Sequence, residues 1–241
     1  MLISQTCQLS QQMKSKDIID KIKSLKNPKN IAGMARFGIR PKSQVYGISM
    51  PEIRQMAKEI KKDHELALLL FKSGIHEAKM LATIIAEHEK ITEKEVNEWV
   101  KLFDSWDIVD QCCMNLFWQS KICRKNIFEW VKSEEEFIRR TAFSLIAVLA
   151  VKNKEMKNAE FLKFFPLIKK YATDERNFVK KSVNWALRQI GKRNKSLNIE
   201  AIKLAHQIRE IGQKKNSKSA KWVASSALSE LLSPKYQDKL K

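Results

Sequence analysis

The chain has 241 residues, 44% hydrophobic and 30% charged, a composition that builds a buried core and excludes a disordered polypeptide. Its formal net charge of +19 points to polyanionic partners, and most of the excess lies from Lys157 onward, with 20 Lys/Arg against 7 Asp/Glu. The longest apolar run, AFSLIAVLAV at 142–151, is too short for a membrane span.

Along the chain, MLISQTCQLSQQMKSKD lacks the basic start and long apolar stretch of a secretory signal. Helices are expected at 16–27, 29–37, 50–62, 64–73, 76–89 and 93–103, then at 105–120, 124–131, 134–152, 157–171, 175–190, 198–213 and 218–232. Neither Gly nor Pro occurs between Gly74 and Pro166, and no hairpin dipeptide occurs anywhere, so strands are not expected. Capping boxes mark helix starts at Ser49–Glu52, Thr92–Glu95 and Ser133–Glu136. Apolar residues at helical spacing follow them, as in Val96, Trp99, Val100 and Phe103. The four cysteines, Cys7, Cys112, Cys113 and Cys123, form no CxxC pair, which favours reduced thiols in a cytoplasm over a metal site or a disulfide framework. The pairs His64–Glu65, His76–Glu77 and His88–Glu89 lack the second histidine of a zinc protease, so surface or capping roles are expected for them.

Three segments repeat a pattern: FIRRTAFSLIA (137–147), FVKKSVNWALR (178–188) and WVASSALSELL (222–232). An aromatic residue, a β-branched residue and a Thr or Ser four positions on recur at intervals of 41 and 44 residues, the spacing of stacked helix pairs. The expected architecture is an all-α solenoid of HEAT- or armadillo-like antiparallel helix pairs, curved around a concave basic groove.

DSWDIVDQ (104–111) sets three carboxylates and a tryptophan in an otherwise basic chain. If Asp104 or Ser105 caps a helix, Asp107 falls in its first turn, where a carboxylate offsets the helix dipole. Asp110 stands four residues after Trp106, so the two share a helix face. On a second helix, Lys181, Trp185 and Arg188 form a basic and aromatic stripe, and Arg140 holds the position equivalent to Lys181 in the preceding copy. Were these helices stacked in parallel, Asp110, Arg140, Lys181 and Trp185 would face one groove suited to a nucleic-acid backbone. The plain alternatives are a packed Trp185 and lysines that serve solubility alone.

With WDIVD (106–110), FIRRTA (137–142) and KKSVNWALRQIGKRN (180–194) in this order, the chain resembles the HEAT-like-repeat alkylpurine DNA glycosylases of the AlkD type. The resemblance runs from about Asn30 to Ser233. It divides the chain into a flexible extension at 1–15, a single repeat domain at 16–233 and a tail at 234–241. It implies catalytic roles for Asp110, Trp106 and Trp185, and a phosphate grip for Arg140, to which the stripe adds Lys181 and Arg188 as DNA contacts. No role carries over to Arg36 or Lys42.

The implied reaction is hydrolysis of the N-glycosidic bond of cationic alkylated purines in duplex DNA, by a monomer with no cofactor, metal or obligatory protein partner. The implied lesion lies at an open groove, not flipped into a pocket. Two rivals use the same residues differently: a non-catalytic HEAT protein that binds damaged or branched DNA, and a scaffold for an acidic protein.

Overall fold

The caps that the sequence offers set many of the helix starts. In this computed structural model, which describes residues 2–240 and the side chains of 9–240, Ser49 and Thr92 form reciprocal capping boxes with Glu52 and Glu95. Asn27, Asp63, Asn194 and Ser217 each accept a hydrogen bond from a first-turn N–H, and Pro28 opens its helix where no donor is needed. The third expected box does not form. Ser133 Oγ accepts from Glu135 N (3.1 Å), the helix starts at Glu136, and the Glu136 carboxylate instead accepts from Phe178 N (3.0 Å).

The chain divides into two compact units, residues 1–122 and 123–241. The first holds α1 (Leu2–Ser24), α2 (Pro28–Arg36), α3 (Met50–Ile60), α4 (His64–Phe71), α5 (His76–Ile85), α6 (Glu93–Lys101) and α7 (Trp106–Cys112), which runs into a π-helical turn, Cys113–Phe117. Helix α1 starts far ahead of the expected position 16, so residues read as a flexible extension are helical from Leu2; Cys7 lies outside the described side chains. The core of this unit stacks Phe71 on Trp99, with ring centroids 3.8 Å apart and planes 3° from parallel. Leu66, Leu70, Leu81, Ile85 and Ile108 of the same unit are also fully buried.

Helix α8 (Lys121–Trp130) crosses the division at its first turn. The second unit continues with α9 (Glu136–Lys152), α10 (Asn158–Leu162), α11 (Phe165–Tyr171), α12 (Asn177–Gly191), α13 (Lys195–Lys214), α14 (Lys218–Leu231) and α15 (Pro234–Gln237). Pro166 sits in the first turn of α11 and splits the helix expected at 157–171. The three repeated segments lie on α9, α12 and α14; α9 packs on α12, and α12 on α14. Gly191 permits a close approach at the end of α12, since a Cβ there would sit 2.8 Å from both Ala201 Cβ and Leu231 Cδ2. The tail is docked: Gln237 Nε2 donates to Leu231 O (2.6 Å) and Asn198 Oδ1 (3.1 Å).

Among the described residues no strand occurs, only a single bridge between Gln44 and Ile75, and no helix is long and apolar enough to cross a membrane. Cys112, Cys113 and Cys123 are buried thiols.

Candidate functional site

Within the first unit, α7 carries Trp106 and Asp110, both half-buried. The Trp106 indole N–H donates to Phe37 O (3.2 Å), which fixes the ring. Ser105 occupies the N-cap position, but its hydroxyl caps no backbone N–H; it donates to Asp107 Oδ1 (2.5 Å). Asp107 is buried in the first turn, and its other oxygen accepts from His76 Nε2 (2.8 Å). Burial opposes its ionisation, yet the hydrogen bonds from His76 and Ser105 prevail and hold the carboxyl below its ordinary range. Asp104 caps nothing either: its Oδ2 accepts from Ser43 N (2.8 Å) and Ser43 Oγ (2.6 Å), with Lys79 Nζ at 3.5 Å. Two of the three acids in DSWDIVDQ therefore tie the 37–49 loop and α5 to the base of α7; the third, Asp110, stands one helical turn after Trp106.

The His-Glu pairs correct the sequence reading. His64, His76 and Glu77 are buried, not on the surface. Glu77 Oε1 accepts from Tyr46 N (2.9 Å) and Gly47 N (2.6 Å), supplying an acceptor to two donors of a loop that has no ladder of its own. Gly47 is required there: its φ is +79°, and a Cβ would meet Asn27 O at 2.4 Å. A cavity of about 410 Å³ lies beside this loop, with walls of Met34, Phe37, Ile48, Met50, Ile53 and Met80 and with His76, Glu77 and Asp107 also contributing.

In the second unit, α12 presents the expected stripe unevenly. Lys181 is exposed and Trp185 half-buried. With its amide oriented to satisfy both neighbours, Gln189 accepts from Trp185 Nε1 (3.1 Å) and Lys192 Nζ (3.2 Å). Arg188 is drawn into an ion pair with Glu230 of α14, whose second oxygen accepts from Lys192 (2.7 Å). Burial raises and these two cations lower the Glu230 pKa, and the cations prevail. Arg140 is only 5% exposed, and its Nη1 donates to Phe178 O (2.8 Å), joining α9 to the first turn of α12.

A second arginine, which sequence reasoning passed over, organises the same region. Arg139 donates to Val131 O (2.9 Å) and Asp174 Oδ2 (2.7 Å), and Arg176 grips both oxygens of Asp174 (2.9 and 2.6 Å). Burial pushes the Asp174 pKa up, but the bonds from Arg176 and Arg139 outweigh it and hold the carboxyl low. The signal for this network was the first arginine of FIRR, Arg139, whose partner lies 35 residues away. Among the described residues no three His, Cys, Asp or Glu side chains gather to hold a metal ion.

In comparisons with known proteins, no curated protein matches the chain. A solved structure described as "a new family of proteins related to the HEAT-like repeat DNA glycosylases with affinity for branched DNA structures" superposes with a TM-score of 0.70 at 19% identity, covering 80% of this chain and 82% of the other. The fold is therefore that of a HEAT-like repeat protein. The sequence model of a family described as DNA alkylation repair enzyme matches residues 18–231. With nearly the whole length matched, the chain belongs to the DNA alkylation repair enzyme family.

Proposed function

We propose that this protein is a DNA glycosylase that hydrolyses the N-glycosidic bond of purines made cationic by alkylation at N3 or N7. The observation that carries the reading is the pairing of Trp106 with Asp110 on α7, in a chain matched to the family over residues 18–231. A cationic purine departs without strong acid assistance, so the demand falls on the electron-poor sugar left behind and on placement of a water. A carboxylate beside an indole suits both, much as the second carboxylate does in glycoside hydrolysis. An indole face adds about 0.5–2 kcal/mol of attraction for a cationic sugar or base. In this reading Asp110 stabilises the developing cation with Trp106 on the same helix, Trp185 gives the DNA a further aromatic contact, and Lys181 with the guanidinium of Arg140 meets phosphates.

The test is release of 7-methylguanine and 3-methyladenine from alkylated duplex DNA, by the wild type and by Asp110→Asn. Wild-type release well above the spontaneous rate, lost in the variant at unchanged DNA affinity, is expected. No wild-type release would remove the enzyme reading.

A second reading, a non-catalytic protein that binds damaged or branched DNA, is favoured by the description of the structural neighbour and uses the same basic residues. It predicts affinity for branched DNA with no base release.

A further inference from the structure

Phe137, Phe178 and Trp222 open the three repeated segments, and the packing of α9, α12 and α14 sets their neighbourhoods side by side. The Phe137 and Phe178 rings lie 5.5 Å apart, centroid to centroid, at 31°. Lys180 Nζ, two residues after Phe178, stands 5.8 Å from the centre of the Trp222 ring. Phe137 and Phe178 are the second residues of α9 and α12 and Trp222 the fifth of α14, and with Lys180 between Phe178 and Trp222 they form a row of aromatics and cation along an edge of the second unit. This row is not core. Phe137 and Phe178 are half-buried, and Trp222 is 41% exposed. The exposed face of α14 continues through Ser225, Ser229 and Leu232 without a carboxylate.

Charge decides what such a row would take. Lys181 on α12 and Lys218 and Lys221 on α14 are exposed, in addition to the half-buried Lys180. The centres of protein–protein interfaces are depleted in lysine, which argues against a protein partner. Aromatic faces interleaved with cations are the composition on which unpaired nucleotides stack, because every base offers a π-face and every linkage a phosphate. Of the groups placed above in the glycosylase reading, Lys181 alone is shared with this edge; Asp110, Trp106, Trp185 and Arg140 lie outside the row.

We propose that the Phe137–Phe178–Trp222 edge is a stacking platform for an unpaired nucleotide, with Trp222 as the receiving ring and Lys180, Lys181, Lys218 and Lys221 as phosphate contacts. The proposal rests on the DNA-binding reading above and adds to it a second class of contact, made where DNA frays, branches or carries an overhang. Stacking of this kind tolerates any base, so the platform discriminates unpaired from paired DNA and not one sequence from another.

The experiment titrates the full chain with a blunt duplex, and with the same duplex bearing a short single-stranded overhang that contains 2-aminopurine. For the wild type, the overhang is expected to raise affinity about tenfold and to quench the 2-aminopurine fluorescence as the base stacks. Trp222→Ala loses both effects while its blunt-duplex affinity stays within about twofold of wild type, and Trp222→Phe, which keeps a ring, retains most of both. Wild-type binding of the blunt duplex with no gain and no quenching from the overhang would overturn the platform and leave the duplex reading intact. An equal loss on both substrates in Trp222→Ala would overturn it as well, reducing Trp222 to a general surface contact. Failure of the wild type to bind either DNA would remove the DNA-binding reading, and the platform with it.

Discussion

At the scale of single residues, the acids of DSWDIVDQ separate by what they accept. Asp104 and Asp107 are consumed by Ser43, Lys79, His76 and Ser105, all within the first unit. A basic chain keeps these carboxylates because a loop with few backbone partners needs acceptors, and Glu77 serves the same need at Tyr46 and Gly47. Glu77→Ala strands two buried N–H groups and is expected to cost about 3 kcal/mol, read as a fall in the urea midpoint at constant m-value. Glu77→Gln, which keeps an oxygen in place, should lose less than half of that. A different result is expected at Trp185. Its ring is half-buried and its N–H is held by Gln189 on the same helix, so Trp185→Ala should lower base release by at least about tenfold, while the stability loss stays under about 2 kcal/mol. Parallel losses in excision and in melting temperature would make Trp185 a packing residue alone.

At the scale of elements, helix positions were largely legible because their starts are chemical. Ser49, Asp63, Thr92 and Ser217 are caps, and the stretch from 75 to 165 contains no residue that forces a break. The misses share one physical cause: they depend on partners distant in sequence. The polar residues before position 16 show no apolar period, yet Gln11 Nε2 reaches the Asp63 carboxylate (3.2 Å) across 52 residues. Ser133 had the spacing of a cap, but Glu136 serves Phe178 of the next repeat, 42 residues on. The site divides in the same way. Trp106 and Asp110 were legible because they lie on one short helix, whereas the pairing of Arg188 with Glu230 and the burial of Arg140 belong to contacts between repeats.

Asp174 makes the inter-repeat link testable by pH. Its pKa is held below the ordinary 3.8, so its contribution to stability is complete above that value and is lost as pH falls through the lower, folded pKa. Arg139 and Arg176 stay charged throughout, so the loss follows the carboxylate alone. Asp174→Asn should therefore be less stable than wild type near neutral pH, and the difference should shrink as the pH is lowered below the carboxylate range. A difference that stays constant down to the acid transition would contradict this assignment.

At the scale of the whole molecule, a net charge of +19 makes some affinity for DNA unremarkable, and what matters is which cations are left to act. The second unit spends several of them internally: Arg139 and Arg176 on Asp174, and Arg188 and Lys192 on Glu230. Lys181 is exposed on the same helix as Arg188, while Glu230 of α14 is taken by Arg188 and Lys192. The two residues, equally basic by sequence, should then contribute unequally to DNA binding. Affinity for duplex DNA is expected to fall with salt by about 0.9 in log–log slope for each phosphate neutralised. Lys181→Ala should reduce that slope by about one contact, and Arg188→Ala by clearly less, because the Arg188 guanidinium is already paired with Glu230. Glu230→Gln should act in the opposite sense, freeing Arg188 and Lys192 and steepening the slope. Equal slopes for Lys181→Ala and Arg188→Ala, together with no gain from Glu230→Gln, would mean that the ion pair opens on DNA and that Arg188 contacts phosphate as fully as Lys181 does.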